Sequence, residues 1–569
     1  MAGKEGRFKV LEQLVEDDIK YIFGNPGTVE QGFIDAISNY PRLKYINTLH
    51  ESVAIAMADA YSRYTKKPSV VQLHSGVGLG NGIGMIYQAM RGHSPIVILA
   101  GEAGIKYDAM DSQMAVDLVS MAKPVTKWAC RVLDSLSLLR IIRRAIKMAS
   151  TPPMGPVFVV LPMDILDQIN DEKIVASTCL ITETTPSDDE LNRIADIFIK
   201  SEKPMIIMGD GISFSKAQNE LTKVAELTGA EIWGADSSEV NVKASHPLFK
   251  GLLGHMFGEH SQEIISKADA VLICGTYILP EVFPSFDNVF NTNAKIIHID
   301  LNAYEIAKNF PVDIGIVSDP KHTLGRLVNS LSQRMDSNQK AKAQKRIDNL
   351  KEIKRLNDEK QLLNDKNNLN ENGLNLPLFM ETLARHINLE NTVIFDEALT
   401  CSPELNRYIP AEIPGHFFQT RGGSLGVGIP GAIGLKLAAP NKTVIGFTGD
   451  GGSMYTFQAL WTAAHYNIDA KFVVCNNKSY RLLKLNILQY WKERNITKHP
   501  YPEAFNICEP DIQFTELARA LGVPAIRIEH ANDIENAIKE ALNTKGPFLI
   551  DLIVSCKDQI EQTKCKCGQ

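Results

Sequence analysis

Short, nearly continuous apolar runs recur along the chain, and between them lie longer segments in which apolar residues return with helical period. That alternation is the mark of strands buried on both faces and joined by crossover helices, as in parallel sheets. The runs fall near Tyr21, Val70, Ile96 and Val157, then at 205–208, 230–233, 270–274 and 295–299. A third set lies near Thr392, Thr443, Lys471, Ala525 and Phe548. Three such sets predict an α/β fold of three open, doubly wound, mostly parallel sheets. Polar stretches at 170–188 and 334–372 separate them, the second rich in Lys, Asn and Asp and read as a solvated helix and linker. The expected layout is a first domain over 1–170, a middle domain over 187–333, a linker over 334–375, a third domain over 376–556 and a flexible tail over 557–569.

Composition narrows the partners. A net charge of −6 over 569 residues leaves no basic footprint for nucleic acid. No apolar run reaches the roughly 20 residues that span a bilayer. The first residues lack the apolar core of a signal peptide, so the cytoplasm is the expected compartment. Nine cysteines are scattered, and Cys274 and Cys475 fall inside strand-like runs, as reduced buried thiols do. Cys556, Cys565 and Cys567 lack a fourth ligand, and a metal site in the tail is not expected.

The third set of strands carries the first chemical signal. Gly449-Asp450-Gly451 follows the run at 443–448, and Asn476-Asn477 follows the run at 471–475, with a helical segment at 458–465 between them. A strand, helix, parallel strand unit brings both polar residues out at one carboxyl edge of a sheet. A carboxylate and an amide there suit Mg²⁺, a hard cation that takes oxygen ligands and shares them with phosphates. The glycines let backbone N–H groups approach such phosphates. Gly-Asp-Gly is also common turn chemistry, and it occurs again at 209–211. There it follows a strand like a dinucleotide fingerprint, but Phe214 stands where a third glycine belongs, so the middle domain is expected to be structural.

The first domain carries the second signal. Glu51 precedes the apolar helical segment 53–61 and so falls in its first turn, where a carboxylate also complements the helix dipole. Upstream, 23–28 is a tight turn closing a strand; downstream, the strand 70–74 opens through His74 into a glycine-rich helix start. Three polar loops thus leave one sheet edge.

Together these motifs resemble the thiamine diphosphate-dependent enzymes, the benzoylformate decarboxylase and acetolactate synthase group in particular. The match is densest at 24–28, Glu51, 73–75, 144–157, 422–430 and 449–480, and weaker similarity covers nearly all of the chain before the tail. The resemblance implies thiamine diphosphate and Mg²⁺ as cofactors, with the metal held by Asp450, the Asn477 side chain and the Ser479 carbonyl. Glu51 would sit away from water and hydrogen-bond the cofactor's pyrimidine ring. Gly423 would offer a carbonyl to the ring's amino group and Leu425 an apolar wedge that keeps the cofactor bent. Thr400 and the backbone of Gly449, Gly451, Gly452 and Ser453 would face the diphosphate. Asn25, Pro26, Gly27, Tyr480 and Leu482 complete the expected cofactor contacts.

For the substrate, a small 2-oxo acid, His74 is the expected proton donor or acceptor, and Thr28 takes the place of a serine that touches substrate carboxylate. The implied activity is non-oxidative decarboxylation. A carboligase or lyase of the acetolactate synthase or 2-hydroxyacyl-CoA lyase type is the alternative, and a catalytically silent nucleotide-binding homologue a third. Two departures bear on the choice. A second histidine from the middle domain aligns with Val282, beside Glu281, and the segment 480–491 differs from the decarboxylase, with Arg481 and Lys484 open to reading as anion contacts or as solvated helix charges. The resemblance also implies a homo-oligomer, a dimer of dimers, with no nucleic acid and no membrane among its partners.

Overall fold

The computed structural model describes residues 3–254, 256–367 and 374–554. The cysteines of the tail lie outside them. The chain forms two compact units, one from Met1–Leu180, Asn372–Ser402 and Gln419–Gln569, the other from Ile181–Glu371 and Pro403–Phe418.

Two sheets build the first unit. In the first, the order is Lys44–Asn47, Tyr21–Gly24, Ser69–His74, Ile96–Glu102, Val157–Pro162, Trp128–Arg131, and every ladder is parallel. In the second, Thr392–Glu397, Thr443–Gly449, Ala470–Asn476, Phe548–Ile553 and Ala525–Ile528 lie side by side, again parallel. The α/β fold of parallel sheets read from the apolar runs is therefore the fold observed. The sequence pattern overlooks the short strands Lys44–Asn47 and Trp128–Arg131, whose residues are half-buried or alternate and so lack a continuous apolar run.

The two sheets meet through a pair of helices. Glu51–Thr65 is buried along almost its whole length, including Arg63, whose guanidinium donates to the Gln419 carbonyl at 2.9 Å. It packs against Gly428–Ala438, and at Gly434 the backbones approach so closely that a Cβ would overlap the Met57 carbonyl oxygen. A second tie runs from the sheet edge, where the Asn47 amide donates to the Tyr466 hydroxyl at 2.8 Å and the Asn47 carbonyl accepts from Thr462 at 3.1 Å.

The other unit holds a third parallel sheet, ordered Phe249–Leu252, Glu231–Gly234, Pro204–Met208, Ala270–Cys274, Lys295–Asp300, Ile314–Val317. Its Gly-Asp-Gly is a structural turn. Asp210 is buried and accepts from the amides of Ser238 and Glu239, at 2.9 and 3.0 Å, and from the Asn241 side chain at 2.8 Å. Ser337–Asn367 is one helix in which only Ala343 and Leu350 are buried, as its polar composition foretold. Among the described residues no helix is long and apolar enough to cross a membrane.

The close helix crossing yields a first prediction. Gly434→Ala forces a methyl against backbone, so thermal unfolding should report a loss of about 1–3 kcal/mol. Gly325, in the helix Pro320–Arg334, meets only the Glu220 side chain at 3.7 Å, and Gly325→Ala should be neutral or stabilising. Equal effects of the two changes would contradict the packing argument.

Candidate active site in two loop clusters

The first cluster forms where three loops leave the first sheet. The His50 imidazole accepts the Ser52 amide at 3.2 Å and so caps the helix that Glu51 begins. Glu51 is 5% exposed, and its two oxygens accept from different amides, Oε1 from Asn25 at 3.3 Å and Oε2 from Asn81 at 3.1 Å. Gly78 closes over it, since a Cβ there would lie 3.3 Å from Oε1. The carboxyl is thus desolvated with neutral donors and no ion-paired cation among the described residues.

His74 ends its strand beside Glu51, and Ser75, which follows, takes a left-handed backbone with φ 47°. The imidazole Nδ1 lies 2.9 Å from Glu30 Oε2. Glu30 is 3% exposed, and burial pushes its carboxyl up while His74 draws it back. Sequence reading overlooked Glu30. Its one signal was an acid two places after Thr28, and the strand order had to bring it to His74. Asn25 and Gly27 reach this cluster; Gly27 has no room for a side chain because His74 occupies it. Pro26 and Thr28 lie exposed on the same loop.

The second cluster lies at the carboxyl edge of the other sheet, where Gly449 pairs with Cys475 in register. Asp450 is 3% exposed; Oδ1 accepts the Gly451 amide at 2.8 Å and Oδ2 the Asn477 amide at 2.9 Å. Burial pushes this carboxyl up to about 6, and the amides of Gly451, Lys478, Asn477 and Ser479 oppose the shift. The Asn477 side-chain oxygen accepts from the Ser479 amide at 3.1 Å and hydroxyl at 3.0 Å, across a left-handed Lys478 with φ 57°. Tyr480 lies over Gly451, where a Cβ would come within 2.5 Å of its ring. Carboxylate, amide oxygen and neighbouring backbone oxygens form a hard donor set, so these residues fit Mg²⁺. The glycine backbone beside them fits phosphate oxygens.

A third loop joins this edge. Glu397 is fully buried and accepts from the amides of Gly426 and Gly428, the latter at 2.6 Å, and from the Thr448 hydroxyl at 3.0 Å. It clamps the turn in which Gly423 and Gly426 have φ of 82° and 89°. Gly423 faces open space, and Leu425 is half-buried. Ser424 rests on the Gly84 carbonyl at 2.9 Å. Glu397 was also overlooked, although it stands three residues before Thr400, which is half-buried. Leu482 is half-buried in the helix Arg481–Glu493, and Lys484 in that helix donates to Asn506 at 2.7 Å. In the other unit, Val282 is exposed and Glu281 is buried against Ser261.

Three models of one family match the chain: thiamine pyrophosphate enzyme, N-terminal TPP binding domain, over 4–121; central domain, over 191–327; and C-terminal TPP binding domain, over 399–552. The chain belongs to the thiamine pyrophosphate enzyme family. Thiamine pyrophosphate is thiamine diphosphate under another name, and both loop clusters fall within or beside the stretches that carry the TPP-binding descriptions. A probable acetolactate synthase large subunit of Methanococcus aeolicus is 28% identical over 97% of this chain and 92% of its own. Benzoylformate decarboxylase of Pseudomonas aeruginosa is 27% identical over 93% of this chain and 95% of its own. Among solved structures, a thiamine diphosphate-dependent 4-hydroxybenzoylformate decarboxylase of Rhodococcus jostii RHA1 shares the fold, with a TM-score of 0.81 at 24% identity over 97% of this chain and 99% of that one.

Glu397 generates a prediction about pH. Desolvation lifts its carboxyl from 4.5 to about 7 in the folded chain. The folded state therefore holds a proton that the unfolded state releases, and stability falls as pH rises through that interval, by up to about 3 kcal/mol. Denaturant titration of cofactor-free protein should show this slope, and Glu397→Gln should flatten it; an unchanged slope in the variant would refute the assignment.

Proposed function

We propose that the protein is a thiamine diphosphate- and Mg²⁺-dependent enzyme that decarboxylates a 2-oxo acid without oxidation, in the manner of benzoylformate decarboxylase. The observation that carries this reading is Glu51, a buried carboxyl at a helix start held only by neutral amides, on a chain that also brings Asp450 and Asn477 together. When bound, the cofactor supplies an electron sink for the carbon that loses CO₂. The chain's residues do the rest. Asp450, Asn477 and the Ser479 carbonyl would hold Mg²⁺. The hydroxyl of Thr400 and the backbone of Gly449, Gly451, Gly452 and Ser453 would take the diphosphate oxygens, with Tyr480 and Leu482 closing over them. Glu51 would hold the proton shared with the pyrimidine ring, Asn25, Pro26 and Gly27 would wall that ring, and the Gly423 carbonyl and Leu425 would orient it. His74 would pass a proton to or from substrate, and the Thr28 hydroxyl would meet the substrate carboxylate.

The assembly is proposed as a homo-oligomer, at least a dimer and in full a dimer of dimers, with each site completed by a second copy. Exposed apolar residues next to both clusters support this, among them Val77 near the first and Met454 and Tyr455 near the second. One observation favours carboligation as a second reading. Val282 stands where the decarboxylase type has a middle-domain histidine, so one proton carrier is replaced by an exposed apolar side chain. A site poor in proton donors favours transfer of the decarboxylated fragment to a carbonyl acceptor.

Glu51→Gln should lower turnover by at least about 10³-fold while leaving thermal stability and cofactor binding near wild type. With thiamine diphosphate and Mg²⁺ supplied, a screen of 2-oxo acids that follows CO₂ and coupled products together separates the readings. Release without coupling selects decarboxylation and a new C–C bond selects carboligation. Normal turnover in Glu51→Gln would sink both.

A further inference from the structure

We propose that Glu30 is a positioning residue for His74, holding the imidazole in the tautomer protonated at Nδ1 and leaving Nε2 as the nitrogen that exchanges a proton with substrate. The last clause rests on the proposed reading of these loops as an active site; the pairing itself is a property of the folded chain. Glu30 Oε2 lies 2.9 Å from Nδ1, with the carboxyl 3% and the imidazole 18% exposed. Nε2 has no hydrogen-bond partner among the described residues.

Two glycines show that the arrangement is built. A Cβ at Gly27 would fall on the imidazole at Cγ and Nδ1, so the 25–28 loop passes directly over the ring. A Cβ at Gly101 would fall on Glu30 Oε1, so the carboxyl is wedged between the end of a neighbouring strand and the ring. A loop backbone thus packs directly on the imidazole and a strand end on the carboxyl. Burial pushes the Glu30 carboxyl up and His74 draws it back, as expected of two groups that share one proton away from water. Two other titratable groups surround the pair: Tyr45, which feels both Glu30 and Glu51, and Glu51 itself, across Gly78 from the His74 Cβ. A carboxylate behind an imidazole fixes its tautomer and raises the basicity of the far nitrogen.

Nitrogen NMR of the full, cofactor-free chain labelled with ¹⁵N-histidine tests this, the His74 signals being identified by their loss in His74→Gln. In wild type above the titration, the proton should reside on Nδ1. In folded Glu30→Gln, whose neutral amide no longer demands a proton donor, the preference for Nδ1 should be lost and both ring nitrogens should share the proton. A proton on Nε2 in wild type overturns the proposal, as does an undiminished preference for Nδ1 in folded Glu30→Gln. If that variant does not fold, the wild-type tautomer decides alone. Neither cofactor nor substrate enters the measurement. Failure here therefore leaves the proposed reaction standing, and lack of turnover on every 2-oxo acid leaves the pairing standing.

Discussion

The first unit depends on one helix crossing. Where Gly434 meets the Met57 carbonyl, two backbones approach without an intervening side chain, and two parallel sheets become one body. The helix on one side of the crossing begins at Glu51, and the helix on the other begins just after the glycine turn at 423–426. Each helix therefore carries a loop of the candidate site at its amino end. Because tightly packed interfaces shift in discrete steps, a change at the crossing would displace both loops together.

Buried carboxyl groups stand around these loops, and the neighbours of Glu51, Glu30, Glu397 and Asp450 give them different work. Glu51 faces the amides of Asn25 and Asn81, which satisfy its oxygens without adding charge. Glu30 faces an imidazole, Glu397 clamps a glycine turn through backbone amides, and Asp450 sits in a ring of loop amides next to an asparagine oxygen. Burial disfavours charge in Glu30, Glu397 and Asp450 alike, so what separates them is whether the partner is a cation former, a fixed dipole or a potential metal site. The second Gly-Asp-Gly shows the same logic in reverse. Asp210 has the identical tripeptide, yet its oxygens are taken up by the 238–241 turn, which leaves a structural joint.

Much of this was legible in the chain. Strands buried on both faces leave long apolar runs, so all three sheets could be read, and the loops after 443–449 and 470–476 had to share an edge because parallel strands end together. Glu51, His74, Asp450 and Asn477 stood out because each follows or opens such an element. Edge strands such as Lys44–Asn47 were invisible, since a half-exposed strand carries no continuous apolar signal.

What the amino-acid order determined by itself was periodicity and local geometry: which segments are strands, which turns demand glycine, and which polar residues sit at strand ends. Tertiary structure alone decided who those residues meet. Glu30 and His74 are 44 positions apart and Glu397 and Gly428 31, and nothing local to either segment encodes the contact. The physical reason is that burial and hydrogen bonding depend on strand order and helix crossing, which are set by the packing of the whole unit.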